Sequence, residues 1–149
     1  MPDKPVADPP AWRSAKAPSL ADLELLGREV FRHLPEQFRA LCDGLVIQVE
    51  DFADDDVLNH MEIDNPFDLM GLFQGVGLPF RSESAPVQMP NMIWLYRRPM
   101  LDYWAEHDET LGAIVTHVLV HEIGHHFGLS DADMEAIEAA ADEGKEATS

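Results

Sequence analysis

The sequence predicts an α+β domain in which a small mixed β-sheet packs on one long helix. Three observations predict this class. Runs of branched and aromatic residues typical of about three strands all lie before residue 108. A long apolar stripe at helical spacing then begins, and a second helical pattern follows Gly128. A chain of 149 residues has the usual size of one domain, so we expect a single core.

Composition and charge limit the classes of function. Hydrophobic residues make up 46% and charged residues 26%, as in an ordinary globular protein. The net charge of -18 repels nucleic acid and favours cations or basic peptides as partners. No apolar run is long enough to cross a bilayer and no signal peptide is evident, so we expect no membrane contact and a cytoplasmic location. Cys42 is the single cysteine, expected in the core, so a metal site would need His, Asp and Glu.

The first part of the chain is expected to hold an arm and an amphipathic helix. Residues 1–18 are rich in proline and small residues, which predicts a flexible arm outside the fold. Ser19 is a good helix N-cap, and Pro35 ends the helical pattern. The apolar residues that recur at helical spacing between them are Leu23, Leu26, Val30, Phe31 and Leu34.

Three segments are expected to be strands. Residues 45–50 alternate, with Leu45, Ile47 and Val49 on one face. Residues 71–77 indicate a strand and a tight turn, because glycine is frequent there, and residues 81–90 are expected to form a loop. Residues 91–97 are aromatic and branched and are followed by Pro99, which predicts a strand near a sheet edge. The acidic residues 51–64 lack the spacing of a calcium loop and are expected to be a solvated loop or helix start.

The main helix is expected to begin after Asp108 as N-cap and to be apolar on most sides. Gly128 is expected to stop it. Ser130 is then expected to cap a last helix that runs through Ala141. The domain is therefore predicted to span residues 19–142, with a disordered tail at 143–149.

The main helix carries a pattern that predicts chemistry. His121 and His125 are four residues apart, so both project from one face and their ring nitrogens can reach one ion at about 2.0–2.1 Å. Glu122 is rotated by about 100° from His121, which places its carboxylate beside the ion rather than on it. It is therefore the predicted catalytic general base, although it could instead pair with Arg97 or Arg98.

The third metal ligand is expected where the chain turns back after the helix. Gly128 permits the turn and Asp131 follows three residues later, which completes the pattern H-E-x-x-H-x-x-G-x-x-D. Two imidazoles and one carboxylate would leave a fourth position for water, as in catalytic sites. Asp131 could alternatively belong to the first turn of the last helix, in which case Asp133 or Glu135 would replace it as a ligand.

Other polar residues are assigned lesser roles. His126 points away from His125, so we expect a buried or hydrogen-bonded residue that supports the site rather than a ligand. His117 lies about 12 Å along the helix from His125, too far for one ion to bind both with His121, and it is not expected to be a ligand. Tyr96, Arg97 and Tyr103 are candidates for contacting the substrate and stabilising an oxyanion.

The segment His121 to Asp131 resembles the signature of small bacterial zincin-like metallopeptidases, once described as a domain of unknown function. Gly124 stands where that family usually has alanine, and the likeness extends to residues 71–75, 81–82 and 90–99. The resemblance implies a minimal zincin fold, His121, His125 and Asp131 as zinc ligands and Glu122 as the base. A third histidine and the downstream Met-turn of longer zincins are not found in this pattern, which implies a shallower site.

The function predicted from these residues is peptide or amide hydrolysis by a zinc metalloprotease with one Zn²⁺ per chain. Zinc would activate water, Glu122 would act as base, and a peptide could pair with the strand at residues 92–96. The main alternative is a non-catalytic, zinc-stabilised interaction module. A metal-dependent ribonuclease with similar histidine spacing is disfavoured by Glu122 and by the negative charge. Imidazole and carboxylate ligands would also suit Mn, Fe or Co.

Overall fold

The computed structural model describes residues 9–74 and 91–148, and in these ranges it has the predicted α+β architecture. The helices are α1 (Pro9–Ser14), α2 (Leu20–Arg32), α3 (Glu36–Arg39), α4 (Asp55–His60), α5 (Arg97–Glu106), α6 (Leu111–His126) and α7 (Asp131–Thr148). The strands are β1 (Val46–Glu50), β2 (Gly71–Gln74) and β3 (Met92–Tyr96). Short 3-10 turns lie at Ala40–Cys42 and Pro66–Asp68. The small mixed sheet and the long helix are therefore confirmed.

The sheet has the order β1-β3-β2 among the described strands. β1 runs parallel to β3, with Ile47 opposite Ile93, and β2 runs antiparallel to it, with Phe73 opposite Ile93. The prediction that residues 91–97 form an edge strand is therefore wrong. Hydrogen bonding on both sides explains why this strand is so apolar, because a central strand is covered more completely than an edge strand. The outer strands of the described sheet are β1 and β2.

The two faces of the sheet contact different layers. Ile93 and Leu95 of β3 are fully buried in the main core, on the side of α2 and α6. Tyr96 of β3 lies in a second cluster with Leu58 and Leu69. Alternation along one strand thus separates a large core beneath α6 from a smaller one beneath α4. The buried residues of α6 in the main core are Val115, Val118, Leu119, Val120 and Ile123.

Helix starts follow local capping chemistry, with two exceptions to the predictions. Ser19 and Asp22 form a capping box at α2, as Ser19 predicted. The N-cap of α6 is Thr110, whose hydroxyl accepts a hydrogen bond from the Ala113 N–H, and not Asp108. Helix α5 was not predicted, because Pro99 was interpreted as a terminator. Pro99 lies in the first turn of α5, where its missing N–H costs no helical hydrogen bond.

The ends of the chain are more helical than predicted. The short helix α1 lies within the predicted arm, while residues 1–8 fall outside the described residues. The helix predicted to end at Ala141 continues to Thr148, across most of the predicted tail. The turn at 75–77 and the loop predicted at 81–90 also lie outside the described residues. Within the described part of the chain, no helix is both long and apolar enough to cross a membrane.

Candidate metal centre and active site

Helix α6 carries a row of three histidines on successive turns, at positions i, i+4 and i+8. The rings of His117 and His121 are stacked, with centroids 3.9 Å apart and planes 29° apart. The rings of His121 and His125 are 5.6 Å apart and nearly perpendicular, at 85°. The row therefore offers two different pairs of imidazoles that share His121.

The pair His121 and His125 has a geometry that suits one zinc ion. With Zn–N distances of about 2.0–2.1 Å and tetrahedral angles, the centres of two imidazole rings lie roughly 5 Å apart. The observed separation of 5.6 Å is close to that value, so the spacing of the two rings is compatible with one shared ion. Imidazole nitrogens and carboxylate oxygens are donors that zinc accepts, so the residues fit this metal.

The turn after α6 directs α7 back towards the histidines. Gly128 has φ +76°, a left-handed conformation that favours glycine. The N–H of Leu129 donates to the carbonyl of Gly124 at 2.9 Å, and the N–H of Gly128 donates to that of His125 at 3.2 Å. These two bonds form a Schellman motif, which satisfies the last carbonyls of α6. The turn places Asp131 at the first position of α7.

The cap of α7 is made by Ser130 and Asp133. The Ser130 hydroxyl accepts from the Asp133 N–H at 3.0 Å, and the Asp133 carboxylate accepts from the Ser130 N–H at 3.3 Å. These two residues supply the capping box, so the start of α7 does not depend on the carboxylate of Asp131. Asp131 instead lines a cleft together with His121.

A close contact between α6 and α7 sets the position of the second helix. A Cβ atom on Gly124 would lie 2.5 Å from Sδ of Met134, which is completely buried. The absence of a side chain at Gly124 therefore allows Met134 to pack directly on α6. Gly124 is also the position at which the sequence resemblance expects alanine, and a methyl group there would have to displace Met134 from α6.

Glu122 lies half-buried beside the outer strand β2. Its Cγ atom is 3.7 Å from the point that a Cβ on Gly71 would occupy. Burial raises the pKa of Glu122 above its usual value, and the nearby His125 opposes this shift in part. Arg97, which with Arg98 was the alternative partner considered for Glu122, pairs instead with Asp51 at 3.0 Å. Glu122 is thus a half-buried carboxylate with raised proton affinity, next to the first histidine of the motif.

A surface cleft of about 410 Å³ lies between α6 and α7 and is lined by His117, His121, Asp131, Glu135 and Glu138. Nε2 of His121 is 3.0 Å from Oε2 of Glu138, and Nδ1 of His117 is 3.2 Å from the same oxygen. Among the described residues, these three are the set whose ligand atoms all lie within 4.8 Å of one another. The predicted ligands His121, His125 and Asp131 do not form such a set, because their ligand atoms are not all within 4.8 Å of one another.

Comparison with known protein families agrees with this architecture. The model of one family, zincin-like metallopeptidase, matches residues 42–141, more than half of the chain. The chain belongs to the zincin-like metallopeptidase family. Membership implies that the chain binds zinc, and it confirms the resemblance drawn from the sequence. No curated protein matches the chain significantly.

The matched region of this zincin-like metallopeptidase extends from the end of the turn before β1 to the buried part of α7. It includes the sheet, the histidine row and every residue that lines the cleft. Helix α2, which packs on α6 and β1, lies before the matched residues. The family region therefore contains the whole candidate site, while part of the supporting core is contributed from outside it.

The remaining predicted site residues of the zincin-like domain have other contacts. His126 is half-buried and packs edge-on against Phe73, with ring centroids 4.6 Å apart, and its supporting role at the site stays a prediction. Tyr96 is buried in the cluster beneath α4, and burial, with nearby carboxylates, raises its pKa to about 12. The Tyr103 ring stacks on His107 at 3.7 Å. Arg97 donates to the carbonyl of Pro18 at 2.6 Å as well as to Asp51. Their proposed contacts with substrate stay predictions.

Two residues of the cleft were not predicted to bind metal. His117 is too far from His125 for both to bind one ion. It lies one helical turn from His121, however, and can share an ion with that residue. Glu135 and Glu138 follow Asp131 at i+4 and i+7, so the three carboxylates share one face of α7. Carboxylates on one face of α7, together with the row of histidines on α6, were a signal in the sequence for a second set of metal ligands.

Proposed function

We propose that this chain is a zinc-dependent peptidase, in which His121, His125 and Asp131 hold the metal and Glu122 is the general base. We call this set of three ligands the motif site. The observation that carries the proposal is the perpendicular pair His121 and His125, 5.6 Å apart, beside a half-buried carboxylate. Bound zinc would supply Lewis acidity, which polarises a carbonyl and increases the acidity of water.

Glu122 would move the proton in this reaction. Its carboxylate takes a proton from the attacking water and passes that proton to the leaving amine, so one residue serves first as base and then as acid. A raised pKa favours this role, because the group accepts and holds the proton more readily than an exposed glutamate.

The position of β2 supports an extended peptide as substrate. β2 is an outer strand of the described sheet, and its first residue, Gly71, lies next to Glu122. A peptide that adds to an outer strand gains main-chain hydrogen bonds and would pass close to the base. This replaces the predicted pairing at residues 92–96, which are already bonded on both sides. The charge of -18 favours basic peptides.

Hydrolysis of a mixed peptide library, followed by mass spectrometry, tests the proposal. We expect cleavage by the zinc-loaded protein, its loss on chelation, and a decrease of about 10²–10⁴-fold in Glu122→Gln. Glu106→Gln, which changes an exposed carboxylate on α5, is the matched control and should cleave like the parent. Equal cleavage by the parent and Glu122→Gln would contradict the assignment of the base.

A second candidate is a non-catalytic interaction module in which zinc joins α7 to α6. The contact between His121 and Glu138, at 3.0 Å, favours it because it already links the two helices. In that case zinc removal should lower the melting temperature strongly, while no peptide is cleaved at any zinc concentration. Cleavage that depends on Glu122 would exclude this candidate.

A further inference from the structure

His117 and Glu138 are near His121 but have no part in the motif site. They meet His121 on the side of α6 that faces α7, where the three residues contribute to the cleft. Their side chains remain accessible, with 54% of His117, 23% of His121 and 26% of Glu138 exposed. An ion could therefore reach them from solvent without any opening of the core.

The distances within this group are those of a metal site. Tetrahedral coordination with bonds of about 2.0–2.2 Å separates neighbouring ligand atoms by roughly 3.3 Å. The Glu138 oxygen lies 3.0 Å from the His121 nitrogen and 3.2 Å from the His117 nitrogen. The two nitrogens are within 4.8 Å of each other, so side-chain rotation alone would complete the set.

The scaffold and the charge of the chain also favour a cation here. His117 and His121 are fixed one turn apart on α6, and Glu138 comes from the helix packed against it. Asp131 and Glu135 line the same cleft and add negative charge beside the three ligands. Two imidazoles and a carboxylate suit zinc and other late first-row divalent metals.

We propose that His117, His121 and Glu138 form an alternative site for a divalent transition metal, which we call the α6–α7 site. It shares His121 with the motif site. Since the His121 nitrogen that faces Glu138 cannot bind two ions, a chain holds an ion in the motif site or in the α6–α7 site. Both ion positions lie about 2.1 Å from that nitrogen and so at most about 4 Å apart, with the α6–α7 site displaced towards His117 and away from His125. The α6–α7 site thus holds zinc away from Glu122.

Metal binding by variants tests the α6–α7 site without any measurement of activity. His125→Ala disables the motif site, and His125 is exposed, so folding should persist and can be checked by circular dichroism. Zinc titration against a chromophoric chelator should show one ion per chain in His125→Ala. Adding His117→Ala or Glu138→Gln should weaken that binding by about 100-fold or more, because even residues that only support ligands contribute 10–100-fold.

Glu135→Gln in the His125→Ala background is the matched control, since Glu135 lines the cleft outside the three ligands. Its zinc affinity should stay within a few-fold of the affinity of His125→Ala. The proposal is overturned if His125→Ala binds no zinc, if its binding survives loss of both His117 and Glu138, or if Glu135→Gln abolishes it equally. Failure of peptide cleavage would affect the proposed function alone, because this titration measures only bound metal.

Discussion

The contact between β2 and α6 should be sensitive to a single added methyl group. Gly71 begins β2, and a Cβ there would lie 2.5 Å from Cγ1 of Val118 and 3.1 Å from the carbonyl oxygen of Trp94. Val118 is 5% exposed and β-branched, so it has almost no freedom to rotate within a helix. Gly71→Ala must therefore displace β2 from α6, at the point where Glu122 lies.

The size of this effect follows from the crowding. Overpacking a buried site costs about 1–3 kcal/mol. Removal of a flexible glycine from a strand returns about 0.5–1 kcal/mol, so we expect a net loss of about 1–2 kcal/mol in the free energy of unfolding. Val118→Ala removes the methyl group that the new Cβ would meet. The double variant Gly71→Ala/Val118→Ala should therefore be more stable than the sum of the single effects implies, by about 1 kcal/mol.

Urea unfolding followed by circular dichroism measures these energies, with a chelator present so that bound metal adds no stability. Gly27→Ala is the matched control. A Cβ at Gly27 meets the tip of the Leu95 side chain at 3.2 Å, which can give way, and alanine is a better helix former. Gly71→Ala with the stability of the parent, or additive effects in the double variant, would refute the packing argument.

Four further predictions concern stability and reactivity. Ser130→Ala removes the cap of α7 and should cost about 1 kcal/mol in urea unfolding; an unchanged midpoint would contradict the role of the cap. Arg97→Ala loses the hydrogen bonds to Asp51 and to the carbonyl of Pro18, which should lower the free energy of unfolding by about 1–2 kcal/mol. The zinc content of this variant should equal that of the parent. A loss of zinc would mean that Arg97 supports the metal site. Burial raises the pKa of the Cys42 thiol to about 11, so iodoacetamide at pH 8 should label it only after unfolding, and labelling as fast as in urea would contradict its burial. Because that pKa is raised, folding favours the protonated thiol, and this contribution to stability should be lost as pH rises from about 9 to about 11.

Local sequence patterns were sufficient for the elements that depend on local chemistry. Helix α2 has the predicted Ser19 cap, and β1 has the predicted alternation that buries Ile47. The stop of α6 at Gly128 follows from the backbone conformation that glycine permits. Each of these features is determined within one or two turns of the chain, where propensity and hydrophobic period act directly.

Features that depend on distant contacts were not predictable in the same way. The central place of β3 depends on pairing with both β1 and β2, which composition does not encode. The approach of Glu138 to His121 depends on how α7 packs, and this is set by Met134 against Gly124. The pattern of the motif predicted His121, Glu122 and His125 from spacing on one helix, whereas a ligand from a second helix requires the packing angle between the two.

The most direct test of the central claim is the zinc content of the purified protein after dialysis against metal-free buffer, measured by mass spectrometry alongside peptide cleavage. We expect about one zinc per chain in the parent and in Glu122→Gln, with cleavage only in the parent. We expect His117→Ala to keep its zinc on dialysis, because the motif site is intact, and Asp131→Ala/Glu138→Gln, in which both proposed sites are disabled, to lose it. A parent that binds no zinc would contradict the central claim, as would zinc that is lost from His117→Ala and retained in Asp131→Ala/Glu138→Gln.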